Sequence, residues 1–417
     1  MPRWISAGDL PGLLRPGMTV YAPGLAGESQ VLVGALREAP EACAGVRFTG
    51  VWLPGINRVD YAGLHPQAHA SAFFITREMR ASFAAGRIDF RPLSYRETFL
   101  YLRDRMPIDL AVLHTALPDA AGALSLGVAN DFTAAVIGKA RRKVALVNPR
   151  MPPTRGAERV ALSAVDWLVE ADASLPDDGD ADDPVFDAIG RHVAGLIRDG
   201  DTLEVGVGRV QRVFAALAGR RGLRIHSGAI TTPLLRLAEA AALADAADAV
   251  TAGVALGSDA LYRFVRDDPR VCFAPVGHTH DIATLRAIPN FVAVNSVLEV
   301  DLLGQANAEM IGGRQIGAAG GLVDFMRGAR ASPGGRAIVA LPATAKGGTV
   351  SKIVAALPAG SAVGVARGDM DIVVTEYGVA DLRTATVDQR AGALIAIAAP
   401  AFREDLARAW AERRRQM

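Results

Sequence analysis

The chain has 417 residues, 50% of them hydrophobic and 21% charged, a globular composition long enough for two or three domains, each with its own core. Its 45 basic and 44 acidic side chains leave a formal net charge of +1, so the charge balance gives no reason to expect nucleic acid or an anionic membrane as partner. Two distant cysteines, Cys43 and Cys272, offer neither a disulfide framework nor a zinc spacing. No apolar run reaches the roughly 18 residues of a membrane span, and the opening Met-Pro-Arg-Trp-Ile-Ser lacks a basic-then-apolar leader. A soluble cytoplasmic protein is expected.

In chain order, an apolar run at 18–22 predicts a strand and 29–37 an amphipathic helix. A strand follows at 110–114, a helix at 132–142 and a strand at 143–147. Residues 171–184 read Ala-Asp-Ala-Ser-Leu-Pro-Asp-Asp-Gly-Asp-Ala-Asp-Asp-Pro, an acidic linker with Gly and Pro. A helix at 184–198 and a Gly206-Val-Gly208 turn come next. Strands at 291–294, 337–341 and 371–374, a Gly-rich loop region at 312–335 and a helix at 387–397 complete the pattern. Arg413, Arg414 and Arg415 fall at a helix end, where cations favour the dipole. Val/Ile/Leu-rich strands alternating with helices predict an α/β fold with mostly parallel sheets flanked by helices. The linker divides it into domains at 1–175 and 185–417.

Several segments carry a recognisable order. Ile108-Asp-Leu-Ala-Val-Leu-His-Thr-Ala-Leu-Pro-Asp119 is followed by Gly122-Ala-Leu-Ser-Leu-Gly127 and Val147-Asn-Pro-Arg-Met-Pro152. Later come Val294-Asn-Ser-Val-Leu-Glu-Val-Asp-Leu-Leu-Gly-Gln305, Gly320-Gly-Leu-Val-Asp-Phe-Met-Arg-Gly-Ala329 and Val374-Thr-Glu-Tyr-Gly-Val-Ala-Asp-Leu382. Together they resemble the acetyl-CoA hydrolase/CoA-transferase family, of the 4-hydroxybutyrate CoA-transferase kind, along the whole chain. The resemblance implies two related CoA-transferase-like domains with the thioester between them and a homodimer or higher oligomer. It implies coenzyme A as substrate rather than as a tightly bound cofactor. In that family a glutamate attacks an acyl-CoA and carries CoA as a glutamyl thioester. A carboxylate is a weak nucleophile, so backbone donors must hold the oxyanion.

The family's glutamate lies in a segment reading roughly "H-T/S-E-M". Here it is His226-Ser-Gly-Ala229, so the glutamate position is Gly228. Glycine has no side chain to attack a carbonyl. Other positions depart as well. "L-Q-x-G-I-G" is Leu203-Glu-Val-Gly-Val-Gly208, "G-x-G-G-Q" is Ala318-Ala-Gly-Gly-Leu322, "Y-x-N-D" is His278-Thr-His-Asp281 and "A-H-P" is Ala398-Ala-Pro400.

Glu204 is therefore a candidate displaced base or nucleophile; the alternative is an acid paired with Arg209 or Arg212. The resemblance implies that Gly206, Val207, Gly208, Arg209 and Val210 lie along bound CoA, although a short Gly pattern also makes a plain strand-to-helix turn. Ala318, Gly320 and Gly321 retain backbone donors for an oxyanion or phosphate. His278 and His280, two apart and on one face if the segment is a strand, would suit acid–base work or, with His226 or Asp281, a metal; no ligand set is confirmed and no metal is assigned. A direct Ser227–His226 pair is not expected, since neighbours on a strand face opposite sides. Glu299, Asp301 and Glu376 read as structural acids. Lys346 is either a point charge for CoA phosphates or a solvated loop lysine.

The expected function is action on an acyl thioester, acyl-CoA or acyl-carrier, by hydrolysis or direct acyl transfer without the glutamyl intermediate. The alternatives are a conventional CoA-transferase with a relocated acid, and an inactive CoA- or partner-binding homologue.

Overall fold

A computed structural model describes residues 1–177 and 183–417. The expected linker falls in part on 178–182, outside the described residues. The six apolar runs form the strands Thr19–Tyr21, Leu110–Thr115, Arg142–Val147, Phe291–Asn295, Arg336–Ala340 and Ile372–Thr375. All but Arg142–Val147 are buried along their full length. Both faces are covered, which is why these runs are continuously apolar rather than alternating.

Two eight-stranded sheets carry the fold. The first runs Arg3–Trp4, Trp167–Glu170, Arg142–Val147, Leu110–Thr115, Thr19–Tyr21, Arg47–Gly50, His69–Ala72 and Ile88–Phe90, all parallel. The second runs Val271–Phe273, Val250–Leu256, Arg224–Thr231, Thr202–Val205, Phe291–Asn295, Arg336–Ala340, Ile372–Thr375 and Gly378–Asp381, antiparallel at the last pair. The two share a winding. In each, the chain steps outward through four successive strands, then returns to the far side of the first of them. Thr19–Tyr21 and Thr202–Val205 are the strands at which the order reverses. In open parallel sheets the crevice at the carboxyl ends of such strands is where ligands bind.

Three of the four expected helices form as Gln30–Glu38, Pro184–Ala194 and Val387–Ile397. Asp183 accepts the Val185 and Phe186 amides to start the second, with Pro184 in its first turn. A reciprocal Thr386–Gln389 capping box starts the third. The helix expected at 132–142 shrinks to Ala134–Ile137. Gly138 ends it, and Arg142, the register partner of Leu110, already belongs to a strand. Sheet pairing has overridden local helical pattern.

The two halves meet through the start of the helix Tyr95–Asp104. Ser94 Oγ and the Arg96 amide donate to Asp324 at 2.9 and 3.0 Å, and the Tyr95 amide donates to the Gly320 carbonyl at 3.0 Å. These bonds fix Tyr95 against the amino end of the helix Leu322–Ala331.

Beneath the second sheet's centre, Arg336 pairs with Asp201, both almost fully buried. Asp201 also accepts the Arg198 amide at 2.6 Å. Removing one partner strands a buried charge, which costs about 3–5 kcal/mol. Asp201→Ala is expected to lower unfolding free energy by that amount in urea denaturation. Asp201→Leu with Arg336→Met should recover most of it.

Candidate active site

Loops from both sheets converge on a cavity of about 220 Å³. The first half contributes Leu25, Leu53, Phe74, Tyr95 and Asp131; the second contributes Glu204 to Val207, Ser227 to Ala229, His280, Asn295, Ser296 and the 318–322 loop. The reversal strand Thr202–Val205 delivers Glu204 to this wall.

Glu204 is 2% exposed. Asn295 Nδ2 donates to its Oε2 at 2.6 Å. A side chain at position 206 would begin 2.6 Å from Asn295 Oδ1, so Gly206 is what lets Asn295 come close. Burial pushes the Glu204 carboxyl well above the usual carboxylate range, and the bond from Asn295 opposes this only in part. Neither expected arginine pairs with it: Arg209 bonds Asp183 at 3.0 Å and Arg212 bonds Asp187 at 2.9 Å.

His280 explains Gly228. A Cβ built on Gly228 would lie 2.6 Å from His280 Cε1 and 2.9 Å from its Nε2. A Cβ on Gly321 would lie 2.5 Å from the same Nε2. The imidazole is wedged between two glycines, held by Phe325 at a ring separation of 4.3 Å and Tyr95 at 5.2 Å. Its Nδ1 lies 2.9 Å from Thr279 Oγ1. When Nδ1–H donates to that hydroxyl, Nε2 keeps its lone pair on the cavity side. Burial lowers the His280 pKa to about 3, so the ring is neutral at physiological pH.

His278 and His280 do not share a strand face. The segment is a short helix, Val276–Thr279, ended by His280. His278 is exposed and outside the cavity lining, whereas His280 is buried in it. The expectation of a His278–His280 pair is corrected on this point, because the Pro275-opened turn rotates the two side chains apart. His226 turns away from Ser227, its Nε2–H donating to the Thr279 carbonyl at 3.1 Å. Ser227 lines the cavity, but its hydroxyl donates to the Ala229 carbonyl at 2.8 Å. Among the described residues no three His, Cys, Asp or Glu side chains are arranged to hold a metal.

Ala318, Gly320 and Gly321 line the cavity where the helix Leu322–Ala331 begins, and helix starts leave backbone N–H groups without intrahelical acceptors. Gly206 and Val207 also line it; Gly208, Arg209 and Val210 do not. Lys346 is exposed on the turn joining Thr344–Ala345 to Val350–Ser351, away from the cavity wall. The other acids have structural partners. Glu299 accepts from Asn307, Asp301 from the Leu303 and Gln305 amides, and Glu376 from the Ala343 amide.

Asp131 is the residue that sequence reading missed. It is 4% exposed in the cavity wall, and burial raises its pKa to about 7. The available signal was an acid inside the apolar stretch Val128-Ala-Asn-Asp-Phe132, which reads equally as a helix opening.

The N-terminal model of the acetyl-CoA hydrolase/transferase family matches residues 2–175, and its C-terminal model matches 257–410. The chain belongs to the acetyl-CoA hydrolase/transferase family. It is 36% identical over 392 residues to the 4-hydroxybutyrate coenzyme A transferase of Clostridium kluyveri, covering 91% of this chain and 90% of that one. The structure of RipA from Yersinia pestis superposes with a TM-score of 0.91 at 27% identity, over 99% of this chain and 98% of that one. The 4-hydroxybutyrate CoA-transferase of Porphyromonas gingivalis gives a TM-score of 0.80 at 31% identity, over 100% and 98%. No helix among the described residues is long and apolar enough to cross a membrane.

The wedge predicts a coupling. Gly228→Glu alone forces the new Cβ into His280 and should destabilise the protein by about 1–3 kcal/mol, the usual cost of overpacking. Gly228→Glu combined with His280→Asn should be less destabilised than the sum of the singles by about 1 kcal/mol or more in a denaturant double-mutant cycle. Strict additivity would show that the two positions do not compete for one space.

Proposed function

We propose that this enzyme hydrolyses an acyl-CoA or acyl-carrier thioester, or passes its acyl group directly to a second nucleophile, without a glutamyl-CoA intermediate. The observation that carries this reading is the His280 ring standing where a side chain at position 228 would begin. A cavity of about 220 Å³ suits the acyl and thioester end of a CoA-sized molecule. Sites enclosing a whole drug-sized ligand run to about 300–1,000 Å³.

Burial separates the two candidate groups in a useful sense: it favours the protonated form of Glu204 and the neutral form of His280. His280 Nε2 removes a proton from water, or from an acceptor hydroxyl, as its oxygen attacks the thioester carbon. The carbonyl electrons move onto oxygen, where the Gly320 and Gly321 amides stabilise the negative charge. The carbon–sulfur bond then breaks, and the departing thiolate takes the Glu204 proton. Return of the imidazolium proton to Glu204 through solvent resets the site. Oxyanion formation beside the ring raises its basicity during the step, offsetting the low resting pKa.

A second reading, Glu204 as a relocated nucleophile in a conventional CoA-transferase, is favoured by its place on the cavity wall. Its raised pKa weighs against it, since a protonated carboxyl is a poor nucleophile and the bond from Asn295 offsets the effect of burial only in part.

Incubation with acyl-CoA followed by borohydride or hydroxylamine should leave no modified glutamate in peptide mass spectra. An adduct on Glu204 would replace the present reading by the second one. Glu204→Gln and His280→Gln should each lower kcat by about 10²–10⁴-fold, the usual contribution of a positioned acid or base. Thermal midpoints should move little. Unchanged kcat in either variant would remove that residue from the mechanism.

A further inference from the structure

The cavity has a chemical asymmetry that the proposed reaction does not use. Glu204, His280 and the glycine amides come from the second half of the chain. The opposing wall, from the first half, carries Leu25, Leu53, Phe74, Tyr95 and Asp131. With the thioester carbon held against the second half, the acyl chain extends toward this wall.

Most of that wall is apolar, but Asp131 is not. Its Oδ2 is buried and finds no hydrogen-bond partner among the described residues. No lysine or arginine lines the cavity. Nearby polar groups do not supply a cation: the Tyr21 hydroxyl bonds Thr133 Oγ1 at 3.2 Å, and Asp131 raises the pKa of both Tyr21 and Tyr95. A buried carboxyl with an unmet acceptor is costly. A ligand donor that met this oxygen would remove that cost. Two aromatic rings, Phe74 and Tyr95, packed edge-to-face at 5.7 Å, line the same cavity. A carboxylate and aromatic rings lining one pocket are the chemistry that holds an ammonium group, through a charge-assisted bond and cation–π attraction.

We propose that Asp131 is a specificity residue and that the acyl group this enzyme takes is short and ends in an ammonium group, not in a second carboxylate. This rests on the reading that the cavity holds the acyl end of a thioester. An ammonium there meets the unpartnered Asp131 oxygen, whereas a carboxylate would place a second acceptor beside it in a cavity lined, among the described residues, by no lysine or arginine. A terminal hydroxyl can donate to Oδ2 but brings no charge.

The test uses matched thioesters of near-equal length: β-alanyl-CoA, 3-hydroxypropionyl-CoA and butyryl-CoA, ending in ammonium, hydroxyl and methyl, with succinyl-CoA as the carboxylate. With the wild-type enzyme, kcat/KM for β-alanyl-CoA should exceed that for butyryl-CoA by about 10–100-fold, the range of a hydrogen bond to a charged group. Succinyl-CoA should be the poorest. Asp131→Asn should bring β-alanyl-CoA and butyryl-CoA within a few-fold of each other. Equal wild-type values, a hydroxyl preference or a succinyl preference each overturn the proposal, and the wild-type comparison stands even if the variant fails to fold. Calorimetric Kd values for the same thioesters read the preference without turnover. A preserved ammonium preference with no turnover of any thioester would refute the catalytic reading and leave the Asp131 assignment standing. Loss of the preference with turnover intact would do the reverse.

Discussion

The imidazole of His280 lies in a slot bounded by two glycines, and the chemistry of the cavity follows from that contact. At 2.5–2.9 Å from the Cβ positions of Gly228 and Gly321, its atoms leave no room for a side chain on either. Real Cβ atoms do not approach that closely, and a packed interior shifts little to make space. Gly228 and His280 are far apart in sequence and meet in space, the ring standing where a side chain at position 228 would begin and held between Phe325 and Tyr95.

Electrostatics compound the effect of sterics. Among the described residues no lysine or arginine lines the cavity, and burial is the largest influence on its titrating groups. Burial drives acids upward and imidazoles downward, and here it acts on Glu204, Asp131 and His280 together. The result is an acid whose pKa is raised and a base whose pKa is lowered, lining one cavity. A glutamyl-CoA mechanism needs the opposite, an ionised carboxylate facing the thioester. The Glu204 environment is poor for a nucleophile and good for a proton donor, and the same apolar packing produces both properties.

Much of the fold was legible in the sequence because parallel strands buried on both faces announce themselves as apolar runs. Leu110–Thr115 and Phe291–Asn295 are of that kind. The helix expected at 132–142 was lost to strand pairing at Arg142, a tertiary preference that no local window contains. At the site, Glu204, Gly228 and the 320–321 glycines were found because they depart from or keep a motif. His278 and His280 were grouped by assuming a strand; one helical turn buries one and exposes the other. Asp131 escaped because its importance depends on what surrounds it. Nothing in the local sequence tells a helix-opening acid from one sealed in a cavity wall.

Position in the sheets explains why side-chain changes at the site leave the architecture intact. Glu204 and Asn295 end two adjacent parallel strands at the point where strand order reverses, and Leu25 follows the corresponding strand of the first sheet. Ladder hydrogen bonds are made by the backbone, so side chains on these strands can change without disturbing register. The ion pair of Arg336 with Asp201 lies at the opposite end of this sheet, where the strands Thr202–Val205 and Arg336–Ala340 begin. Stability is concentrated at one end of the sheet and chemistry at the other. The cavity side chains Glu204 and His280 can therefore vary while the second sheet, and its closure onto the first through Ser94, Arg96 and Asp324, stays as it is.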